Sequence, residues 1–283
     1  MERVKHLIHF DRISSLGLTG KHVTIAFLDT GISSHRDFLY PTNRILCFRD
    51  FVYGHSRFYD DNGHGTHITG IASSNLIGIA PRSNIVSLKV LNRHGNGQTL
   101  HLIRSFQWIL AHHDTYNIRI VNISMGMSNP NHPSSKELLF WVERLWDEGL
   151  IVCTAAGNLG PSTKSITIPG ISRKIITVGS FDGTPYTSYS GRGPTHSCIV
   201  KPDLTAPGNE IKSCHGVTRY TVRSGTSMAT PVVCGAIALY LEKFPASTNK
   251  DIKLKLRSSC DDLGYPQNQQ GWGRINLEKF LQN

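Results

Sequence analysis

No stretch of this chain approaches the ~18 consecutive apolar residues that a membrane-spanning helix requires, so no membrane partner is expected. The opening residues, Met1-Glu2-Arg3-Val4-Lys5-His6-Leu7, lack the apolar core of a secretory signal. The six cysteines (Cys47, Cys153, Cys198, Cys214, Cys234, Cys260) include no CxxC pair, which argues against a zinc ribbon or a redox motif. Cys153 and Cys234 fall in apolar runs and are expected as buried free thiols. That cysteine usage points to a reducing cytosol. Internal repeats, low-complexity tracts and linkers are lacking too, so one domain over residues 1–283 is the simplest partition. Acidic residues are in deficit: 20 Asp and Glu against 30 Lys and Arg leave a net charge of +10, with 14 histidines besides. The bases are spread, with a modest cluster at Lys243, Lys250, Lys253, Lys255 and Arg257, and no aromatic–basic interleaving of the single-strand-binding kind. No nucleic-acid partner is expected, while an acidic peptide partner stays open. Oligomeric state is not encoded legibly.

What is present is a chain of 283 residues, long enough to bury a large core. Residues 1–20 read as a helical segment ending at Gly17-Leu18-Thr19-Gly20. Residues 23–28 form a continuous β-prone apolar run, the mark of a central strand covered on both faces. Residues 33–62 read as a polar, aromatic-rich connection. Further strands are expected at 85–91, 118–124, 150–158 and 174–179, and helices at 100–111 and 136–149. Such alternation implies an α/β fold: a three-layer sandwich with a mostly parallel central sheet and helices on both faces. Residues 252–256 alternate like a strand, yet their flanks suit a capped helix equally well.

Three polar groups fall at element ends. Asp29, in Asp29-Thr30-Gly31, follows the first apolar strand, where ligands gather in open α/β sheets. His64, in Gly63-His64-Gly65-Thr66-His67, opens a small-residue helix; without the HExxH glutamate, zinc is a weak reading of the two histidines. Ser227, in Ser224-Gly225-Thr226-Ser227-Met228-Ala229-Thr230-Pro231, stands before an apolar run that reads as a buried helix. Backbone N–H groups are unpaired there and the helix dipole is positive, so a serine oxygen could attack a carbonyl and leave its oxyanion beside an N–H. A nucleophile, a base and an acid to orient the base make one catalytic set.

These three contexts, in the order Asp, His, Ser and spread over nearly the whole chain, resemble the subtilisin-like serine peptidases. The resemblance implies a serine endopeptidase with Ser227 as nucleophile, His64 as general base and Asp29 as its orienting acid, while His67 serves structure. Asn158, in Ala155-Ala156-Gly157-Asn158, is similar to that family's oxyanion-hole residue, whose loss costs ~3–4 kcal/mol of barrier in this family. An extended polypeptide substrate would pair with Ser124-Met125-Gly126, with Gly95-Asn96-Gly97 as the opposite rim. Thr154, Ala155, Ala156 and Gly157 would wall the first specificity pocket. Thr167 would stand at its base, where many relatives have glycine, which implies a preference for small or medium side chains before the scissile bond. Secreted relatives carry a propeptide, whereas 28 residues precede Asp29 here, which reads as a leaderless intracellular form or a trimmed secreted one. No cofactor is required for the chemistry. The calcium loop of secreted relatives is short here and lacks carboxylates over residues 72–81, and Asp203 is similar to a calcium ligand of some relatives but suits a turn or cap equally, so a structural calcium stays open. The biological role would be maturation of a dedicated peptide or intracellular turnover. The rivals are a transpeptidase or macrocyclase on the same scaffold, and a pseudopeptidase binding module.

Overall fold

The computed structural model describes residues 1–127, 133–181 and 188–282. Seven strands form one sheet, and one of its interior strands is the fully buried run β1 (Thr24–Asp29). The others are β2 (Ile45–Asp50), β3 (Asn84–Lys89), β4 (Ile118–Ile123), β5 (Ile151–Ala155), β6 (Ile176–Ser180) and β7 (Leu204–Ala206). They stand in the order β2-β3-β1-β4-β5-β6-β7, and each neighbouring pair runs parallel. β1 is flanked by β3 and β4, with Ile25 opposite Ile85 on one side and Ile120 on the other. The order reverses beside β1, so a crevice opens at the carboxyl ends of these strands.

Helices cover the sheet. α4 (Thr99–Tyr116) and α5 (Ser134–Asp147) pack on each other and on β1, β4 and β5. α3 (His64–Ser73) and α6 (Thr226–Lys243) pair with each other and lie on β1 and β3 through β7. α6 is apolar on every side and buried from Met228 to Leu241, as a helix through the middle of a core must be. A two-stranded antiparallel hairpin, β8 (Ile211–His215) and β9 (Arg219–Arg223), leads into α6 and packs on α3. At the ends lie α1 (Glu2–Leu7), a 3₁₀ turn (Phe10–Leu16), and α7 (Asn249–Ser259), α8 (Gln267–Gln270) and α9 (Leu277–Phe280).

The expected strands and helices are found, with boundaries shifted by a few residues. Several elements were not expected, among them β7, α8 and α9. The connection over residues 33–62 holds a short helix, α2 (Arg36–Leu39), and β2, whose middle residues are half covered because β2 is an edge strand. The β8–β9 hairpin was missed as well, although Ile211 and Ser213 are buried on either side of exposed Lys212. Residues 252–256 are helical within α7. Thr248 and Asp251 form a reciprocal capping box at its start, and that local bonding overrides the alternation. Cys153 and Cys234 are buried, and all six cysteines are free. Among the described residues no helix is long and apolar enough to cross a membrane.

Candidate active site

Asp29 is the last residue of β1, and its carboxylate is buried. Its Oδ1 accepts from His64 Nδ1 at 2.7 Å and from the Thr30 backbone N–H at 2.7 Å. The contact requires α3 to press against the end of β1. Gly65 permits this: a Cβ there would lie 2.2 Å from the Gly31 carbonyl oxygen. Asp60, which sequence reasoning missed, secures the approach. Its Oδ1 accepts from Thr30 Oγ1 and from the Gly63 N–H, both at 2.8 Å, and its Oδ2 from the Thr66 N–H at 2.8 Å. Thr30 Oγ1 in turn accepts from the Gly65 N–H at 2.9 Å. Asp60 therefore caps α3 and ties it to β1. The turn run Asp60-Asp61-Asn62-Gly63 before the helix was the available signal.

The His64 side chain is 21% exposed. Burial alone would push its pKa down, but the Asp29 charge and hydrogen bond outweigh this and hold it above the ordinary histidine value. With Nδ1–H donated to Asp29, Nε2 offers the free lone pair. His67 faces away. Its Nε2 donates to the Ile211 carbonyl at 3.0 Å, and burial pushes its pKa down to about 3. It is a clip between α3 and β8, as expected of a structural histidine.

Ser227 is the second residue of α6, with Gly225 at the cap position at φ +152°. Its N–H has no acceptor within the helix. Its hydroxyl donates to the Ser124 carbonyl at 2.9 Å, and Ser124 Oγ donates back to the Ser227 carbonyl at 3.1 Å. The second bond is available because Pro231 lies four residues on and has no N–H to claim that carbonyl. Asn122, a buried polar residue of β4, donates to Ser124 Oγ at 2.9 Å and so steadies the pair. Among the described residues no hydrogen bond joins Ser227 to His64.

Asn158 follows β5. Its Oδ1 accepts from the Thr226 N–H at 3.0 Å and from Thr226 Oγ1 at 2.9 Å. These bonds fix which end of the amide is oxygen and leave Nδ2 free to donate. A Cβ on Gly225 would sit 3.3 Å from that Nδ2, so the glycine clears space for the amide.

A cavity of about 180 Å³ is lined by Ser227, Thr226, Asn158, Gly157, Ala155, Gly126, Met125 and Thr167. Thr167 wedges between its walls: Cβ atoms built on Gly126 and Gly157 would meet its side chain at 2.1 and 2.5 Å. A larger cavity of about 410 Å³ adjoins it. Gly95, Gly97, Met125 and Gly126 border this cavity above an apolar floor of Leu102, Phe106 and Ile168. The two segments expected as groove rims thus share one cleft. Ser124 sits behind it, bonded to Ser227, and Ala156 is buried, its carbonyl accepting from the Thr167 N–H at 3.0 Å.

The residues at Asp203 do not fit a calcium ion. Asp203 Oδ2 accepts from Lys201 Nζ at 2.5 Å and from the Thr177 N–H at 2.7 Å, and Oδ1 faces Lys253 Nζ at 3.5 Å. Lys253 Nζ also donates to the Arg173, Lys174 and Ile175 carbonyls at 2.8, 2.9 and 3.1 Å. Two ammonium groups already supply the positive charge that these oxygens would offer a cation. Elsewhere, the buried donors His35, Asp37 and Cys214 lie within 4.8 Å of one another. Two of them are spent internally: His35 Nδ1 accepts from the Asp37 N–H at 3.2 Å, and Asp37 Oδ2 accepts from the Tyr220 hydroxyl at 2.9 Å.

The model of the subtilase family matches residues 20–273. Among curated relatives, the serine protease AprX of Bacillus subtilis (strain 168) is 37% identical over 93% of this chain and 67% of its own length. Subtilisin DY of Bacillus licheniformis is 32% identical over 98% of this chain and 97% of its own length. The crystal structure of a cold-adapted subtilisin-like serine proteinase superposes with a TM-score of 0.77 at 30% identity, covering 92% of this chain and 90% of that one. Likeness in sequence and in fold runs through nearly the whole chain, over the same parallel sheet whose carboxyl edge gathers the Asp29, His64 and Ser227 segments: the chain belongs to the subtilase family of serine peptidases.

Proposed function

We infer that this subtilase-family serine endopeptidase hydrolyses peptide bonds through an acyl-enzyme built on Ser227. A turn of the Ser227 side chain from the Ser124 carbonyl toward His64 Nε2 would begin the reaction; such bonds are often loose before substrate binds. His64 takes the hydroxyl proton as the oxygen attacks, and Asp29 stabilises the imidazolium. The Ser227 N–H and Asn158 Nδ2 receive the oxyanion. His64 then protonates the leaving amine, and water resolves the ester. No step calls on a cofactor.

One observation carries this reading. The Asp29–His64 hydrogen bond of 2.7 Å joins β1 to α3, and α6, which packs on both of them and on β5, brings Ser227 to one cavity with the free amide of Asn158. An extended peptide would lie along residues 124–126, where the backbone groups of Met125 and Gly126 make no hydrogen bond within the described residues. The wedge of Thr167 supports small or medium side chains before the scissile bond. We place the enzyme in the cytoplasm on the strength of its six free thiols, and assign it maturation of a dedicated peptide or intracellular turnover. Indiscriminate degradation of unfolded proteins would argue against the dedicated role.

The test is the mass of products from a peptide library treated with wild type and Ser227→Ala. Gain of one water per cut, lost in the variant, supports the proposal. Amine-resolved or cyclic products would replace hydrolysis by transpeptidation, and no Ser227-dependent product would leave a binding module.

A further inference from the structure

The β8–β9 hairpin carries Lys212, His215, Arg219 and Arg223 and no acidic residue. Arg223 closes β9, four residues before Ser227, and is half-buried. Its Nη2 reaches the Asn62 carbonyl at 3.3 Å, on the turn that presents His64. A Cβ on Gly63 would come within 3.5 Å of the same nitrogen and within 3.0 Å of His215 Nδ1. No carboxylate pairs with Arg223 among the described residues. The acids around His64 are committed elsewhere: Asp29 holds the imidazole, Asp60 accepts from Thr30, Gly63 and Thr66, and Asp61 pairs with Lys89 at 2.6 Å. The guanidinium is thus an uncompensated positive charge beside the base, and it opposes protonation of His64.

Its place along the groove follows from the proposed mechanism, on which this inference rests. The acyl half of a substrate occupies the cavity lined by Gly157, Asn158 and Thr167 and runs back past Met125 and Gly126. The leaving amine must lie within reach of His64. The segment beyond the scissile bond therefore departs over the Asn62–Gly63–His64 turn and the adjoining hairpin, where Arg223 stands. We propose that Arg223 is a specificity-determining residue that selects substrates with Asp or Glu at the first or second position after the scissile bond. A carboxylate there gains a charge-assisted hydrogen bond with a planar guanidinium. It also offsets the repulsion between Arg223 and the imidazolium that forms during attack, so the preference falls on kcat/KM.

The experiment compares internally quenched peptides that differ only at those two positions, carrying Asp, Asn or Lys, for wild type and for Arg223→Gln, Arg223→Lys and Arg223→Glu. The readout is the ratio of kcat/KM between peptides within each protein, which does not depend on the fraction folded. Wild type should favour Asp over Asn by about 5- to 10-fold at low ionic strength, the range of a partly exposed charged hydrogen bond, and less as salt is raised. Arg223→Gln should level the ratio, Arg223→Lys should keep part of it, and Arg223→Glu should favour Lys. A charge-blind wild type, or a preference that survives Arg223→Gln, overturns the proposal while leaving the acyl-enzyme mechanism standing. Cleavage that persists in Ser227→Ala would remove the mechanism, and this proposal with it.

Discussion

Asp29 uses one carboxylate oxygen twice, for His64 and for Thr30, and its buried Oδ2 has no partner among the described residues. Its charge is what holds His64 above the ordinary histidine pKa against the opposing effect of burial. In the proposed mechanism His64 serves as a base only when neutral, so the acid limb of kcat/KM should fall at a pH above about 6.5. In Asp29→Asn the attraction goes and burial remains. The limb should then move to lower pH, and the plateau should drop by about 10⁴. A limb that stays in place would detach Asp29 from the base. Asn158 allows a cleaner separation, because its two ends do different work. Asn158→Asp keeps the oxygen that accepts from Thr226 and loses the donor. It should leave the Tm within a degree or two and lower kcat by about 10²–10³ with little change in KM, the magnitude known for such donors in this family. Thr167→Gly should shift a cleavage profile from small toward large side chains before the scissile bond. Asp29, His64, Ser227 and Asn158 stand out in the sequence as candidates because each lies in a short, specific context. Asp60, Asn122 and Arg223 do not: their partners Thr30, Ser124 and Asn62 matter only once separate elements meet.

At the scale of elements, α3 is held from two sides. Asp60 pins its start to β1, and His67 pins its inner face to the hairpin. Burial keeps His67 neutral, with a pKa of about 3 in the folded protein against about 6.5 for an ordinary histidine. Between those values the unfolded chain binds a proton that the folded one refuses, so the stabilisation is complete above pH ~6.5 and is lost as pH falls toward 3. His67→Asn should be less stable at pH 8 and should lose less on acidification. Urea midpoints at pH 8, 6 and 4 would show this as a shallower slope, worth a few kcal/mol at most across that window. A slope equal to wild type would remove His67 as the source. The sequence exposed the elements whose apolar pattern is strong, such as β1, β4, β5 and α6. It hid β2, because an edge strand is only half covered, and the hairpin, because its alternation is short and rich in charge. Over residues 252–256 periodicity favoured neither state, and the capping box at Thr248 decided it.

For the whole molecule, the parallel sheet was legible from the alternation of strand and helix, and the strand order was not. That order puts β1 between β3 and β4, and so places Asp29 in the crevice where the sheet reverses direction. The same scale governs charge. A net +10 says nothing of fold, and Lys201 and Lys253 show two of these charges used internally around Asp203. The central claim is that Ser227, His64, Asp29 and Asn158 act as one covalent catalytic set. Its most direct test is the mass of the folded protein after treatment with a fluorophosphonate, followed by mapping of the modified residue. A single adduct on Ser227, absent in Ser227→Ala and formed far more slowly in His64→Ala, is the predicted result. No adduct on folded wild type, or one on another residue, would contradict it.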